Sequence, residues 1–301
     1  MRIQFTVALV CAWFVTQEAA GQAPPANTGD HRLVGGVTDY VVQKGDTLRS
    51  IGARFGVDTG TLTRENRLQA DPKLTQGQPL RIDHRHIVPT ALESVELIVN
   101  IPQRMLFYRS TEGRTVGYPV AVGRRDWPTP TGPFTVSVLE RHPTWEVPAS
   151  ILEESRRRGR VQPPIIPPGP DNPLGDFWIG LSLAGIGIHA TNVPSSIFGA
   201  VSHGCIRVHP DDIEQLFDDI QVGASGLIVY ETVLLTASSN GVYLEAHRDV
   251  YRRARTEPRS AARELASRLG VSDLIDWTLA DAIVAAREGI ARDVTRVSPA
   301  D

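Results

Sequence analysis

Cysteine is nearly absent from this 301-residue chain, which has only Cys11 and Cys205, so a disulfide framework is excluded as the source of its stability. Lysine occurs only at Lys44 and Lys73. No face of clustered Lys and Arg stands out and the net charge is -3, which argues against nucleic acid, because phosphate binding is built from concentrated positive charge. No apolar run reaches the roughly 20 residues of a membrane-spanning helix. What is there is ordinary for a globular protein: 41% hydrophobic and 22% charged residues, in a length suited to about two domains.

The longest apolar run, Ile3 to Val15, follows Arg2 and precedes the small residues Ala19, Ala20 and Gly21. That layout predicts a secretory signal over residues 1–21, cleaved near Gly21, and hence a periplasmic protein. A membrane anchor would need a longer run. Ala8, Leu9 and Val10 lack the small residue expected just ahead of a lipidated cysteine, so Cys11 is expected to leave with the signal. Cys205 then stands alone in a compartment where cysteines are usually paired. Such a thiol is a buried small hydrophobe, a link to another chain, or a nucleophile.

Residues 22–37, rich in Pro, Gly and Asn, read as a linker. The segment Tyr40-Val-Val-Gln-Lys-Gly-Asp-Thr-Leu opens as a strand and turns at Gly45. It offers Asp46 as a helix N-cap ahead of Leu48, Ile51 and Phe55 at helical spacing. A second short helix is expected over Thr61 to Arg67, and Gly77-Gln-Pro-Leu-Arg-Ile returns to strand character. This β-α-α-β order over residues 38–83, with the KGDTL opening, Asn66 and the closing GQPLRI, resembles a LysM domain. The resemblance implies binding to the N-acetylglucosamine backbone of peptidoglycan or chitin; the plainer reading is a small module that spaces or docks another domain.

From residue 94 to 231 the pattern is β-rich. Strands are expected over Val95 to Asn100, Met105 to Arg109, Thr115 to Val122 and Phe134 to Leu139, with punctuation at Trp127-Pro-Thr-Pro-Thr-Gly-Pro. A brief helix is expected between Pro148 and Gly159, and the Pro-dense run Val161 to Pro173 cannot be a central strand. Long irregular insertions are often lids or binding loops, which places this segment at the rim of a site; an inconsequential surface loop is the alternative. Residues 237–301 read as a largely helical tail that packs on the catalytic domain and has no assigned chemistry.

The informative residues are Gly185-Ile-Gly-Ile-His-Ala-Thr-Asn and Val201-Ser-His-Gly-Cys-Ile-Arg-Val-His-Pro-Asp-Asp. A strand should deliver His189, a loop should return Ser202-His-Gly-Cys beside it, and Asp211 or Asp212 should start a helix through Ile213, Leu216 and Phe217. The chemistry calls for that pairing. A thiol near pKa 8.5 is mostly protonated at neutral pH, and the thiolate is the attacking species. His189 can take the proton of Cys205 and later return it to a leaving amine, provided a second acceptor, such as a backbone carbonyl, holds its tautomer. Ser202, His203 and Gly204 shape the turn, and the amides of His203, Gly204 and Cys205 can point at a developing oxyanion. Arg207 suits a substrate carboxylate through its planar fork.

HATN followed by SHGCIRVHPDD resembles the signature of the YkuD-type L,D-transpeptidases. Further matches to the ErfK/YbiS/YcfS/YnhG branch lie in Leu97-Ile-Val-Asn, Gln103-Arg-Met-Leu-Phe-Tyr, Tyr118-Pro-Val-Ala-Val-Gly, Thr129-Pro-Thr-Gly, His142-Pro-Thr-Trp and Pro167-Pro-Gly-Pro-Asp-Asn-Pro-Leu-Gly. The resemblance implies a mainly β catalytic domain, a β-sandwich with short helices. It also implies acylation of Cys205 by the L-centre of diaminopimelate in a peptidoglycan tetrapeptide stem, with release of D-alanine. An amine then resolves the thioester, giving a 3→3 cross-link or attachment of an outer-membrane lipoprotein. Ala190 departs from the pattern, standing where many relatives have glycine.

Rival readings remain on the same residues. His203, Cys205 and His209, or His84 and His86, offer nitrogen and sulfur ligands but no complete zinc set at finger-type spacing; no metal or other cofactor is expected, and His84, His86 and His209 read as surface residues. A penicillin-binding serine enzyme needs Ser-x-x-Lys, which neither lysine completes. Water in place of the amine would make an L,D-carboxypeptidase, and a catalytically silent wall-binding protein is the non-enzymatic reading.

Overall fold

The computed structural model describes residues 32–70 and 72–297, so the expected signal segment and most of the expected linker lie outside the described residues. The N-terminal module comprises β1 (Leu33–Val34), β2 (Val37–Val41), α1 (Leu48–Phe55), α2 (Thr59–Glu65), β3 (Pro79–Asp83) and β4 (His86–Ile87). Strands β2 and β3 pair antiparallel, as do β1 and β4. The end of the expected linker is therefore ordered: Leu33 and Val34 are buried, because a β-paired backbone can carry apolar side chains into a core that a solvated linker cannot. Asp46 is not the helix cap. Thr47 caps α1 in a reciprocal pair with Ser50, while Asp46 accepts from the Tyr40 hydroxyl and the Gln43 amide and so secures the preceding turn. Val42, Ile51, Val57, Leu62, Leu80 and Ile82 form the module's core.

The second module is one curled sheet. Its strands are β5 (Leu97–Asn100), β6 (Met105–Arg109), β7 (Thr115–Gly123), β8 (Gly132–Arg141), β9 (Trp145–Glu146), β10 (Ile165–Ile166), β11 (Phe177–Leu181), β12 (Gly187–His189), β13 (Ala200–Ser202), β14 (Ile206–Val208) and β15 (Ser225–Val229), with α3 (Ala149–Arg157) after β9 and α4 (Pro210–Asp219) after β14. All but β9 and β10 join in the order β13-β7-β14-β12-β11-β8-β15-β5-β6. The first half of β7 also pairs with β6 and its second half with β14 and β13, so the sheet bends back around a core that includes Leu106, Val120, Ile179, Ile188 and Ile206. Ile213, Leu216 and Phe217, on one stripe of α4, pack into the same core, where each such side chain stabilises by roughly 1.5–3 kcal/mol. His209, not either aspartate, caps this helix through its side chain.

The C-terminal region is not largely helical. Strands β16 (Val233–Ser238), β17 (Gly241–Ala246) and β18 (Arg292–Asp293) make a three-stranded antiparallel sheet. Against it lie α5 (Pro258–Leu269) and α6 (Trp277–Ala286), sharing a core that includes Leu235, Leu244, Ala266 and Val284. The three modules are tied by ion pairs: Arg54 to Asp212 (3.0 Å), Arg104 to Asp58 (3.1 Å), Arg64 to Glu288 (3.0 Å) and Arg292 to Glu65 (2.5 Å).

Two of the three histidines expected at the surface are instead buried. His86 donates or accepts through Nδ1 at 2.8 Å from Glu245, which also takes the Ile87 amide (2.5 Å), Gln103 Nε2 (3.0 Å) and His247 Nε2 (2.9 Å). Glu245 is fully enclosed. Its carboxyl is depressed to about 2 by the flanking histidines, although burial pushes the other way. His84 is buried against Phe55 and beside the Thr38 hydroxyl (3.0 Å), and burial lowers its pKa to about 4. His209 is half-buried between Arg54 and the start of α4. Polar groups enter an interior when partners meet them there, and these partners come from distant parts of the chain.

Candidate active site

Strands β12 and β14 run parallel, with Ile188 opposite Ile206 and His189 opposite Arg207. Side chains alternate along a strand, so His189 and Arg207 share a face, and Cys205, two positions before Arg207, joins them. The local sequence dictates this: Ile188 and Ile206, the intervening residues, both point into the core. Three sequence-predicted site residues are thereby collected on one surface of the sheet.

The buried His189 Nδ1 lies 2.6 Å from the carbonyl of Ala190. An imidazole nitrogen facing a carbonyl carries the proton, which leaves Nε2 as the free base. The His189 pKa is pushed down to about 3, chiefly by burial and also by the Arg207 charge, with the Ala190 and Leu174 backbone acting in the opposite sense. The ring is stacked on Trp178, its neighbour across β11, with centroids 5.9 Å apart. Trp178 also covers Gly187, where a Cβ would stand 2.4 Å from the indole. Ala190 is accommodated because Gly175 faces it: a Cβ on Gly175 would lie 2.6 Å from that of Ala190.

The Cys205 thiol, half-buried, is 3.6 Å from the Gly185 carbonyl. Burial raises its pKa, opposed by the Gly187 amide and by Arg207. Among the described residues, Arg207 has a buried Nε without a hydrogen-bond partner, and its one side-chain hydrogen bond is to Ser196 (3.4 Å). Among the described residues no carboxylate lies within ion-pair reach of it.

The turn before the thiol is stapled by Ser202, whose hydroxyl accepts from the Gly204 amide (3.1 Å) and donates to the Cys205 carbonyl (2.5 Å). Gly204 has φ of +111°, a region open to glycine. Its amide is thus already engaged and does not join the expected trio of oxyanion donors, whereas those of His203 and Cys205 have no hydrogen bond among the described residues.

The match to known proteins follows the same residues. A family model described as the L,D-transpeptidase catalytic domain, YkuD, matches residues 94–230, and a LysM domain model matches residues 40–83. The chain is 30% identical over 257 residues to "Probable L,D-transpeptidase ErfK/SrfK" of Escherichia coli K12, covering 82% of this chain and 81% of that one. It is 31% identical over 243 residues to "Probable L,D-transpeptidase YcfS" of the same strain, covering 78% and 74%. The chain belongs to the YkuD family of L,D-transpeptidases.

In this transpeptidase, three contacts near the thiol had no signal in the motif. His203 Nε2 is 2.6 Å from Glu154 of α3, and Arg124 reaches the other oxygen of that carboxylate (2.5 Å). Trp127 meets the His203 ring edge-on at 5.0 Å. The third is Trp178 itself. The Pro-rich rim was legible as an insertion, but nothing in its local pattern marks Glu154 among neighbouring charges.

Proposed function

We propose that this enzyme acts outside the cytoplasm on peptidoglycan tetrapeptide stems through a thioester on Cys205. The observation that carries the reading is the shared face of Cys205, His189 and Arg207 on adjacent strands. Rotation about the Cys205 Cα–Cβ bond turns the S–H from the Gly185 carbonyl toward Nε2 of His189, which takes the proton. The thiolate attacks the carbonyl at the L-centre of diaminopimelate, and the oxyanion meets the amides of His203 and Cys205. The imidazolium then protonates the departing D-alanine. Arg207 holds a substrate carboxylate, for which its guanidinium, without a carboxylate partner among the described residues, is suited. An acceptor amine finally resolves the thioester.

The acceptor is a stem diaminopimelate, giving a 3→3 cross-link, or a lysine of an outer-membrane lipoprotein. Support for wall binding comes from the LysM module, where Asp46, Thr47, Leu48, Thr59, Lys73 and Leu74 line an open groove of about 730 Å³. Incubation with disaccharide-tetrapeptide, with and without an amine acceptor, followed by mass spectrometry tests the proposal. Dimeric muropeptide is expected; tripeptide alone would instead identify an L,D-carboxypeptidase. Cys205→Ala should abolish acylation by a carbapenem, and an adduct persisting on that variant would overturn the assignment of the nucleophile.

A further inference from the structure

We propose that Tyr251, in the C-terminal region outside the matched catalytic domain, is a positioning residue for the loop that presents Cys205. This rests on the reading of Cys205 as nucleophile. Tyr251 is 5% exposed, and its ring belongs to the catalytic core rather than to that of its own module. Its hydroxyl donates to the Gly123 carbonyl (2.7 Å) and accepts from the Thr129 amide (3.1 Å). The Thr129 hydroxyl in turn donates to the Gly204 carbonyl (2.8 Å) and accepts from the Gly123 amide (2.8 Å). One phenol thus pins the end of β7, the Trp127–Thr129 turn and, through one threonine, the residue before the thiol.

The rest of the segment is built to present that phenol. The Tyr251 amide donates to the Tyr230 hydroxyl (2.8 Å), and the two rings stack at 5.7 Å. Asp249 accepts from Tyr230 and from the amides of Arg253 and Ala254 (2.9 Å each), closing the turn that carries Tyr251. The turn packs directly on Gly123, where a Cβ would lie 2.2 Å from the Trp127 carbonyl. A hydrogen-bonded relay of this kind couples its members, and removing one leaves buried groups unpaired. Loss of the Tyr251 hydroxyl frees the Gly204 carbonyl's holder, so Cys205 drifts from the Gly187 amide and Arg207, the two groups that favour its thiolate.

The test uses the full chain with Tyr251→Phe, Thr129→Val and the double variant. Each is measured for kcat and KM on disaccharide-tetrapeptide and for the pH dependence of Cys205 alkylation by iodoacetamide. Tyr251→Phe should lower kcat roughly 10-fold, within the 10²-fold that a 1 Å misplacement can cost, with KM little changed and the alkylation midpoint moved to higher pH. Thr129→Val should do the same, and the double variant should add little, because the two act in one relay. Val284→Ala, in the separate C-terminal core, should lower the melting temperature with kcat and the alkylation midpoint unmoved. Wild-type kcat and alkylation profile in Tyr251→Phe or in Thr129→Val would overturn the proposal, as would a Val284→Ala variant that moves them equally. Turnover by Cys205→Ala would defeat the nucleophile assignment instead, a result separable from the others.

Discussion

Glu154, on the helix that follows β9, is hydrogen-bonded to His203, two residues ahead of Cys205, at 2.6 Å. That bond, with those of Arg124, holds the carboxyl below the usual carboxylate range. Since the Glu154 contact requires His203 Nε2 to carry a proton, the nearby Arg124 guanidinium is held by the carboxylate and not by the imidazole. The helix after β9 is thereby latched to the turn that precedes Cys205.

Glu154→Ala should release that latch. Catalytic efficiency on the stem peptide is expected to fall about 10-fold through misplacement of the turn, with faster proteolytic nicking between residues 149 and 166. Unchanged kcat/KM together with unchanged nicking would show that the contact is passive.

The acid–base state of the pair is set by burial: Cys205 is raised and His189 is lowered to about 3, so both are neutral in the resting enzyme at pH 7. Thiolate absorbance at 240 nm, taken as wild type minus Cys205→Ala, should be near zero at pH 7 and rise on the alkaline side of about 8.5, the ordinary cysteine value. A full thiolate signal at pH 6 would mean a preformed ion pair and contradict this assignment.

Acid should weaken the fold before carboxylates begin to titrate. His189, His84 and His247 all have pKa values depressed in the folded state, chiefly by burial. Below about pH 6.5 the unfolded chain binds protons that the folded chain refuses, so their stabilisation is complete above that value and lost as pH falls. Each fully unprotonated histidine contributes a slope approaching roughly 1.4 kcal/mol per pH unit. Urea midpoints at pH 7 and pH 5 measure it; equal midpoints would refute the buried neutral histidines.

Removing Glu245 strands four partners at once: His86, His247, Gln103 and the Ile87 amide. Glu245→Ala is expected to cost about 3–5 kcal/mol in urea unfolding, the range for breaking a buried ionic cluster from one side. A loss under about 1 kcal/mol would mean that water replaces the carboxylate, as it can only in a wet site.

Gly187→Ala drives a methyl into the Trp178 ring, which stacks on His189. Overpacking of this kind costs about 1–3 kcal/mol, and carbapenem acylation should slow as the imidazole tilts. Wild-type acylation with a lowered melting temperature would separate Trp178 packing from the chemistry.

Local pattern carried much of this protein. The KGDTL and GQPLRI segments mark a βααβ unit because turn glycines and alternating apolar residues act within a few positions. The HATN and SHGC segments announce a thiol and an imidazole because that chemistry needs few residues and these two runs hold them. Helix caps were readable only to within one to three residues: Thr47 caps through its hydroxyl and His209 through Nδ1, where Asp46 and Asp211 or Asp212 offered carboxylates, since the cap depends on the exact chain entry and not on side-chain type alone.

Sequence alone was therefore enough for the family, for the candidate pair Cys205 and His189, and for the periodic elements that carry them. That His86 is an interior group emerged from the folded chain alone, because its partner Glu245 is 159 residues away. The fold likewise brought Glu154 onto His203 and the Tyr251 hydroxyl onto Gly123 and Thr129. Periodicity reports which face of an element is apolar, but a polar side chain is buried or exposed according to what meets it, and that meeting is made by chain segments with no local relation to one another.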